Sequence, residues 1–239
     1  MNKFVSAALF AFLALTLTYN TANAGKKPVM AVDEFKNDTS AGWWKRGTGK
    51  ELAGMLTNEL ASMESFKMVE RKKINSVLRE QDLGASGRIR PKTAAKIGKM
   101  TGAQYLVMAT VTSYEEDVSG GGGGLSFGGI SIGGKKKKAY IAIDLRVVNT
   151  ETGDVDFTRT VEANSSSGGL SIGFFKGGFG GTLGGEKKTP AGKAIRACVM
   201  EIAEYLDCAM VEKGSCMNDY REKEKKRRKK TKSAISLDD

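Results

Sequence analysis

The residues best suited to covalent or metal chemistry here are three cysteines, Cys198, Cys208 and Cys216. None forms a C-x-x-C pair, and the chain has no histidine. That excludes Ser-His-Asp and Cys-His nucleophiles, and His-ligated metals with them. Cys198 and Cys208 stand ten residues apart on one expected helix. The rise between them is about 15 Å, too far for a disulfide. Cys208 meets Cys216 only if the chain turns at Gly214, and an oxidising compartment would then favour a bond. The spacing leaves that pairing open. Residues 47–51, GTGKE, approximate a phosphate loop, but Trp44 stands where the first glycine should be and Glu51 replaces Ser/Thr. Glu115, Glu116 and Asp117 read as a solvated strand end. No catalytic residue, cofactor site or metal site is expected, and the chain does not read as an enzyme.

The elements around these residues begin with an export signal. Lys3 precedes an apolar run over 4–19, and Ala22-Asn23-Ala24 fits the small-x-small rule of signal peptidase. The expectation is a signal peptide over 1–24 with Gly25 as the first mature residue. A cysteine is absent at that point, so a lipid anchor is not supported. The net charge is +11, and residues 221–232, REKEKKRRKKTK, hold nine Lys/Arg against two Glu. Like charges at that density repel, so 214–239 is expected to be a basic, disordered tail. Contact with anionic lipid, cell-wall polymer or nucleic acid is the other option, and a secretion signal argues against nucleic acid.

Between these ends, strands and helices interleave. Residues 27–35 read as a buried strand, 66–70 as a short one and 103–114 as a strong one. In 139–153, Ile141, Ile143, Leu145 and Val147 alternate strictly, and 154–163 should pair with this strand across the turn TETG. Helical spacing predicts 47–63, with Leu52, Met55, Leu56, Leu60 and Met63 on one face. It also predicts 71–84, carrying Ile74, Val77, Leu78 and Gln81 and closed by Gly84 as a cap. Another short helix is expected from Pro91 to Gly102. Thr189-Pro190 reads as a helix start, followed by the stripe Ile195, Cys198, Val199, Ile202, Leu206, Ala209 and Met210. Together they predict a small α/β domain over 25–213, with a mixed sheet and flanking helices.

Two insertions, 119–138 and 165–188, interrupt this domain. Residues 120–134 and 168–185 within them hold eighteen of the 30 glycines. Ordinary Gly-rich linkers are polar. These contain Leu125, Phe127, Ile130, Ile132, Leu170, Ile172, Phe174, Phe175, Phe179 and Leu183. Leu-Ser-Phe, Ile-Ser-Ile and Leu-Ser-Ile alternate large and small, as a membrane β-strand requires. Each insertion has room for two strands of the roughly 9–11 residues that cross a bilayer. Leu125, Phe127, Ile130, Ile132, Leu170, Ile172, Phe174, Phe179 and Leu183 are therefore candidate lipid-facing residues. Four strands cannot close a barrel, and an open edge in lipid leaves backbone groups unpaired. A membrane role thus demands a ring of copies. Flexible loops remain the competing expectation: the alternation slips at Gly128-Gly129 and Phe174-Phe175, and Lys176 interrupts the second tract.

AVDEFKNDTSAG, FKMVERKKINSVLREQDLG, TGAQYLVMATVTSYEEDV, IDLRVVNTETGDV and TPAGKAIRACVMEIAEYL, in that order over 29–211, resemble the curli secretion channel family, CsgG-like proteins. The resemblance implies a periplasmic α/β domain bearing two β-hairpins, a homo-oligomeric ring, an outer-membrane barrel and a secreted polypeptide cargo. It also implies a pore-narrowing loop after the first strand. Here that stretch is short, and Trp43 and Trp44 stand in it as candidates for the pore or for a packed or interface pair.

Two functions follow as expectations. One is a subunit of an outer-membrane export channel. The other is a soluble periplasmic accessory or binding protein on the same fold, with no pore.

Overall fold

The computed structural model describes residues 26–119, 126–127, 130–131, 136–166, 169–172 and 189–234. The expected signal peptide lies outside the described residues, as do Leu125, Ile132, Phe174, Phe175, Phe179 and Leu183.

The chain runs β1 (Val29–Val32), β2 (Lys36–Asn37), α1 (Thr48–Ser62), β3 (Lys67–Met68), α2 (Ile74–Ala85) and β4 (Tyr105–Ser119). It continues with β5 (Ser126–Phe127), β6 (Ile130–Ser131), β7 (Lys136–Asn149), β8 (Val155–Ser166), β9 (Gly169–Ile172), α3 (Pro190–Asp207), a π-helical turn (Cys208–Glu212) and α4 (Cys216–Ala234). The main sheet has the order β3-β1-β4-β7-β8-β9, with β2 also on β4. It is mixed: β1 is parallel to β3 and β4, whereas β4, β7, β8 and β9 are successively antiparallel.

All four residues of β1 are buried, as the continuous apolar run of a strand covered on both faces requires. On β7, Ile141, Ile143, Leu145 and Val147 are fully buried, so the period of two does set the core face. Leu52, Leu56 and Leu60 of α1 and Cys198, Ile202 and Leu206 of α3 join them in one core. Gly192 N–H donates to Thr189 Oγ1 at 3.1 Å, which caps α3 where Pro190 opens it.

Several expectations need correction. No helix spans 91–102: Thr93 and Ala94 N–H close a single turn on the Arg90 carbonyl, and Gly98 has φ +76°, outside the right-handed helical region. Gly84 does not cap α2, which continues to Ala85 with Ser86 after it. It serves close packing instead, since a Cβ there would lie 2.9 Å from the Ala95 carbonyl oxygen. The tail expected to be disordered is largely helix α4. The chain does turn after the π-helical segment, with Lys213 at φ +50°, and Cys208 and Cys216 form a disulfide with Cα atoms 6.0 Å apart.

Candidate functional site

The two glycine tracts leave from one end of the sheet. β4 and β7 form a long antiparallel ladder from Tyr105 opposite Asn149 to Ser119 opposite Lys136, with one irregularity between Val111 and Ser113. Ala139 and Ile141 on β7 are buried, and from them the ladder continues to Ser119 opposite Lys136, where the first tract begins. Within that tract, β5 and β6 pair antiparallel, Ser126 opposite Ser131 and Phe127 opposite Ile130. The first insertion is therefore paired at its base, Ser119 opposite Lys136, and again between β5 and β6.

The second insertion starts differently. β9 does not prolong β8 outward. It folds back as an edge strand, with Gly169 opposite Ser166, Leu170 opposite Ser165 and Ile172 opposite Ala163. The sequence shows alternation here but not the direction of the strand.

Trp43 and Trp44 are half-buried and packed against the core. The Trp43 ring meets Trp44 edge-on at 5.5 Å, and meets Tyr114 of β4 edge-on at 5.5 Å. Tyr114 was not singled out from sequence; it stands with the indoles because β4 runs beneath the loop after β2. Its hydroxyl donates to Glu116 Oε2 at 2.9 Å. Burial, then Glu116, pushes the phenol well above its usual range, so it stays neutral. The loop is tied at its start by Asn37, whose Oδ1 accepts from the Thr39 N–H and hydroxyl at 3.1 and 2.7 Å.

A second constellation, invisible in sequence, seats α4. Glu201 of α3 is 4% exposed, and its Oε1 accepts from Lys223 Nζ at 2.9 Å, with Arg159 Nη2 of β8 at 3.8 Å. The Arg159 guanidinium lies over the rings of Tyr205 and Tyr220, 5.0 and 4.7 Å from their centroids. These two rings meet edge-on at 5.3 Å. Further along, Arg227 Nη1 lies 3.8 Å from Glu162 of β8. β8 pairs with β9 only over Ala163–Ser166, and α4 reaches β8 before that stretch at Arg159 and Glu162.

Among the described residues, an apolar surface gathers on and after α2. Val77, Leu78 and Leu83 of α2, with Ile97 and Met100 after it, are exposed, and Gln81 is the buried residue of α2. The face expected to pack Val77 and Leu78 inward does not do so within one copy.

A family model described as "Curli production assembly/transport component CsgG" matches residues 14–235. The curated component of that name from Escherichia coli (strain K12) is 26% identical over 110 residues, 44% of this chain and 40% of that protein. The Salmonella typhimurium component aligns with the same identity and coverage, so the match spans about 40% of these relatives' length. A candidate lipoprotein of Neisseria meningitidis serogroup B is 28% identical over 80% of this chain and 81% of its own. Among solved structures, hypothetical protein CT253 from Chlamydia trachomatis overlays with TM-score 0.43 at 13% identity, over 77% of this chain and 97% of that one. A PelC dodecamer from Paraburkholderia phytofirmans overlays with TM-score 0.35 at 12% identity, over 75% and 85%. Those scores are too low to carry an assembly over to this chain.

Proposed function

The chain belongs to the CsgG family of curli production assembly/transport components, and from that premise we propose that it is one subunit of a ring-shaped export channel in an outer membrane. The observation that carries this most is the β4–β7 ladder. It runs unbroken from Ser113 opposite Ala142 to Ser119 opposite Lys136 and delivers both flanks of the first glycine tract at the same end of the sheet. Phe127 opposite Ile130 supports a hairpin within that tract. In this role the candidate residues of both tracts face lipid. Neighbouring copies satisfy the backbone groups that one copy leaves open. The lumen is water-filled and passes an unfolded polypeptide by diffusion, with no bond made or broken and no cofactor.

The exposed apolar residues of α2 support association of copies, because a helix face left uncovered by its own chain gains when a neighbour removes it from water (about 25 cal/mol per Å² of apolar surface). The names of the relatives support a periplasmic or outer-membrane location. Detergent extraction followed by sizing, and dye release from liposomes, test the channel directly. A large assembly and leakage are expected of the intact chain. Both should vanish when 119–135 and 168–186 are deleted.

A soluble periplasmic accessory protein is the second possibility. The observation favouring it is β9, which returns along β8 instead of extending it. A monomer in plain buffer whose localisation survives that double deletion would establish it against the channel.

A further inference from the structure

We propose that the C-terminal turns of α4, with the start of β7, form a cationic collar that docks on anionic lipid headgroups. Its orientation rests on the channel assignment above; its charge does not.

The direction of α4 follows from two independent sets of contacts. Against α3 it runs antiparallel: the Cys208–Cys216 disulfide closes one end, Tyr220 meets Tyr205 at 5.3 Å, and Lys223 meets Glu201 at 2.9 Å. The two helices have 18 and 19 residues, so at about 1.5 Å per residue they are nearly equal in length. Ala234 therefore ends level with Pro190, which the second glycine tract enters through Thr189. Against β8 it runs parallel: Arg159 donates to the Tyr220 carbonyl, and Arg227 meets Glu162. Three strand residues and seven helix residues each advance roughly 10 Å, so the two contacts are consistent. Beyond Glu162, β8 ends at Ser166, opposite Lys138 of β7.

Charge along α4 is uneven. Up to Arg228 the cations have acids among them: Glu222 pairs with Lys225, Glu224 with Arg227 and Arg228, and Glu162 with Arg227. From Lys229 onward the helix has no acid, and Lys229, Lys230 and Lys232 are exposed. At the same end stand exposed Arg196 of α3 and the run Lys136–Lys138 that opens β7. On β4, the strand paired with β7, Asp117 stands opposite Lys138, whereas Lys137 and Lys136 stand opposite the uncharged Val118 and Ser119. A helix docked by Glu201, Arg159 and Glu162 holds these lysines at the point where the tracts leave the domain. A disordered tail would spread them. Lipid phosphate fits better than a soluble polymer, because the surplus sits at the base of the apolar tracts.

The test is flotation of the full chain, purified in detergent, with phosphatidylcholine vesicles with and without phosphatidylglycerol, at low and high salt, alongside dye release. Intact protein should prefer the anionic vesicles, less so at high salt. Lys229→Gln, Lys230→Gln and Lys232→Gln together should cut that preference by about a hundredfold, with circular dichroism unchanged. Arg221→Gln, about 12 Å along the helix from Lys229 and beyond the Debye length of about 10 Å at 0.1 M salt, should alter it less than about twofold at that salt. Dye release without any preference for phosphatidylglycerol, or a triple variant that binds like the parent, overturns the collar and leaves the channel standing. Preference without release supports the collar and counts against the channel. Binding to polyglutamate with indifference to anionic vesicles overturns the collar in favour of an acidic polypeptide.

Discussion

Lys223 of α4 holds its ammonium 2.9 Å from the buried Oε1 of Glu201 on α3, joining residues 22 apart in sequence. This contact turns a basic segment into a seated helix. Arg159 shares the carboxylate, so a single negative charge is divided between two cations. Breaking a buried ionic group costs more than the group contributes intact, because the surviving charge stays buried. Glu201→Ala should therefore lower unfolding stability by about 3 kcal/mol. Lys223→Met, at a partly exposed position, should cost less. Urea titration measures both, and equal small losses would show that α4 is not seated through this group.

The Cys208–Cys216 disulfide closes the turn between the π-helical segment and α4. A loop of eight residues' separation is short, so its loss should cost about 2–3 kcal/mol in the chain-entropy picture. Reduction, or Cys208→Ser with Cys216→Ser, should speed hydrogen exchange in α4 before it speeds exchange in β7. Uniform exchange would show that the bond stabilises the domain without holding the helix.

Acid should loosen α4. Hydrogen bonds from Arg227 and Arg228 pull the Glu224 carboxyl from its ordinary 4.5 down to about 2. A depressed carboxylate contributes stability that is complete above 4.5 and disappears as pH falls through the folded value. The loss should therefore fall between pH 4.5 and about 2, and Glu224→Gln should flatten it. Glu204 works the other way at higher pH. Burial, then Glu201, raises its pKa, so protonating it relieves a penalty as pH drops toward 4.5. Stability measured against pH for parent and variant separates the two.

Val77 and Leu78 are solvent-exposed in one copy. Val77→Asp with Leu78→Asp should leave unfolding stability within about 0.5 kcal/mol per site, as surface changes do. If copies associate through α2, the assembly measured in detergent by light scattering should fall to smaller species. An unchanged assembly would place the subunit contact elsewhere.

Trp43 is wedged between Trp44 and Tyr114. Trp43→Ala should cost about 2 kcal/mol, less than a fully buried tryptophan would. Channel conductance in planar bilayers then decides its role. A packing residue alters stability and leaves conductance alone, whereas a pore residue alters conductance in the milder Trp43→Phe as well.

Local pattern alone determined much of this protein. Alternation at Ile141, Ile143, Leu145 and Val147 specified a strand and its core face, and Thr189-Pro190 marked the start of α3, because strand pleat, helix pitch and capping act over a few residues. The family, too, was legible in the order of such segments. Tertiary structure alone decided where α4 sits. Its inward stripe, Met217, Tyr220, Lys223, Glu224 and Arg227, has helical spacing but is mostly charged, and its cations go inward only where the distant carboxylates Glu162 and Glu201 compensate them. The return of β9 along β8 and the solvent exposure of α2 were equally hidden. Backbone pairing between strands and the burial of an apolar face depend on what stands opposite, which no local pattern contains.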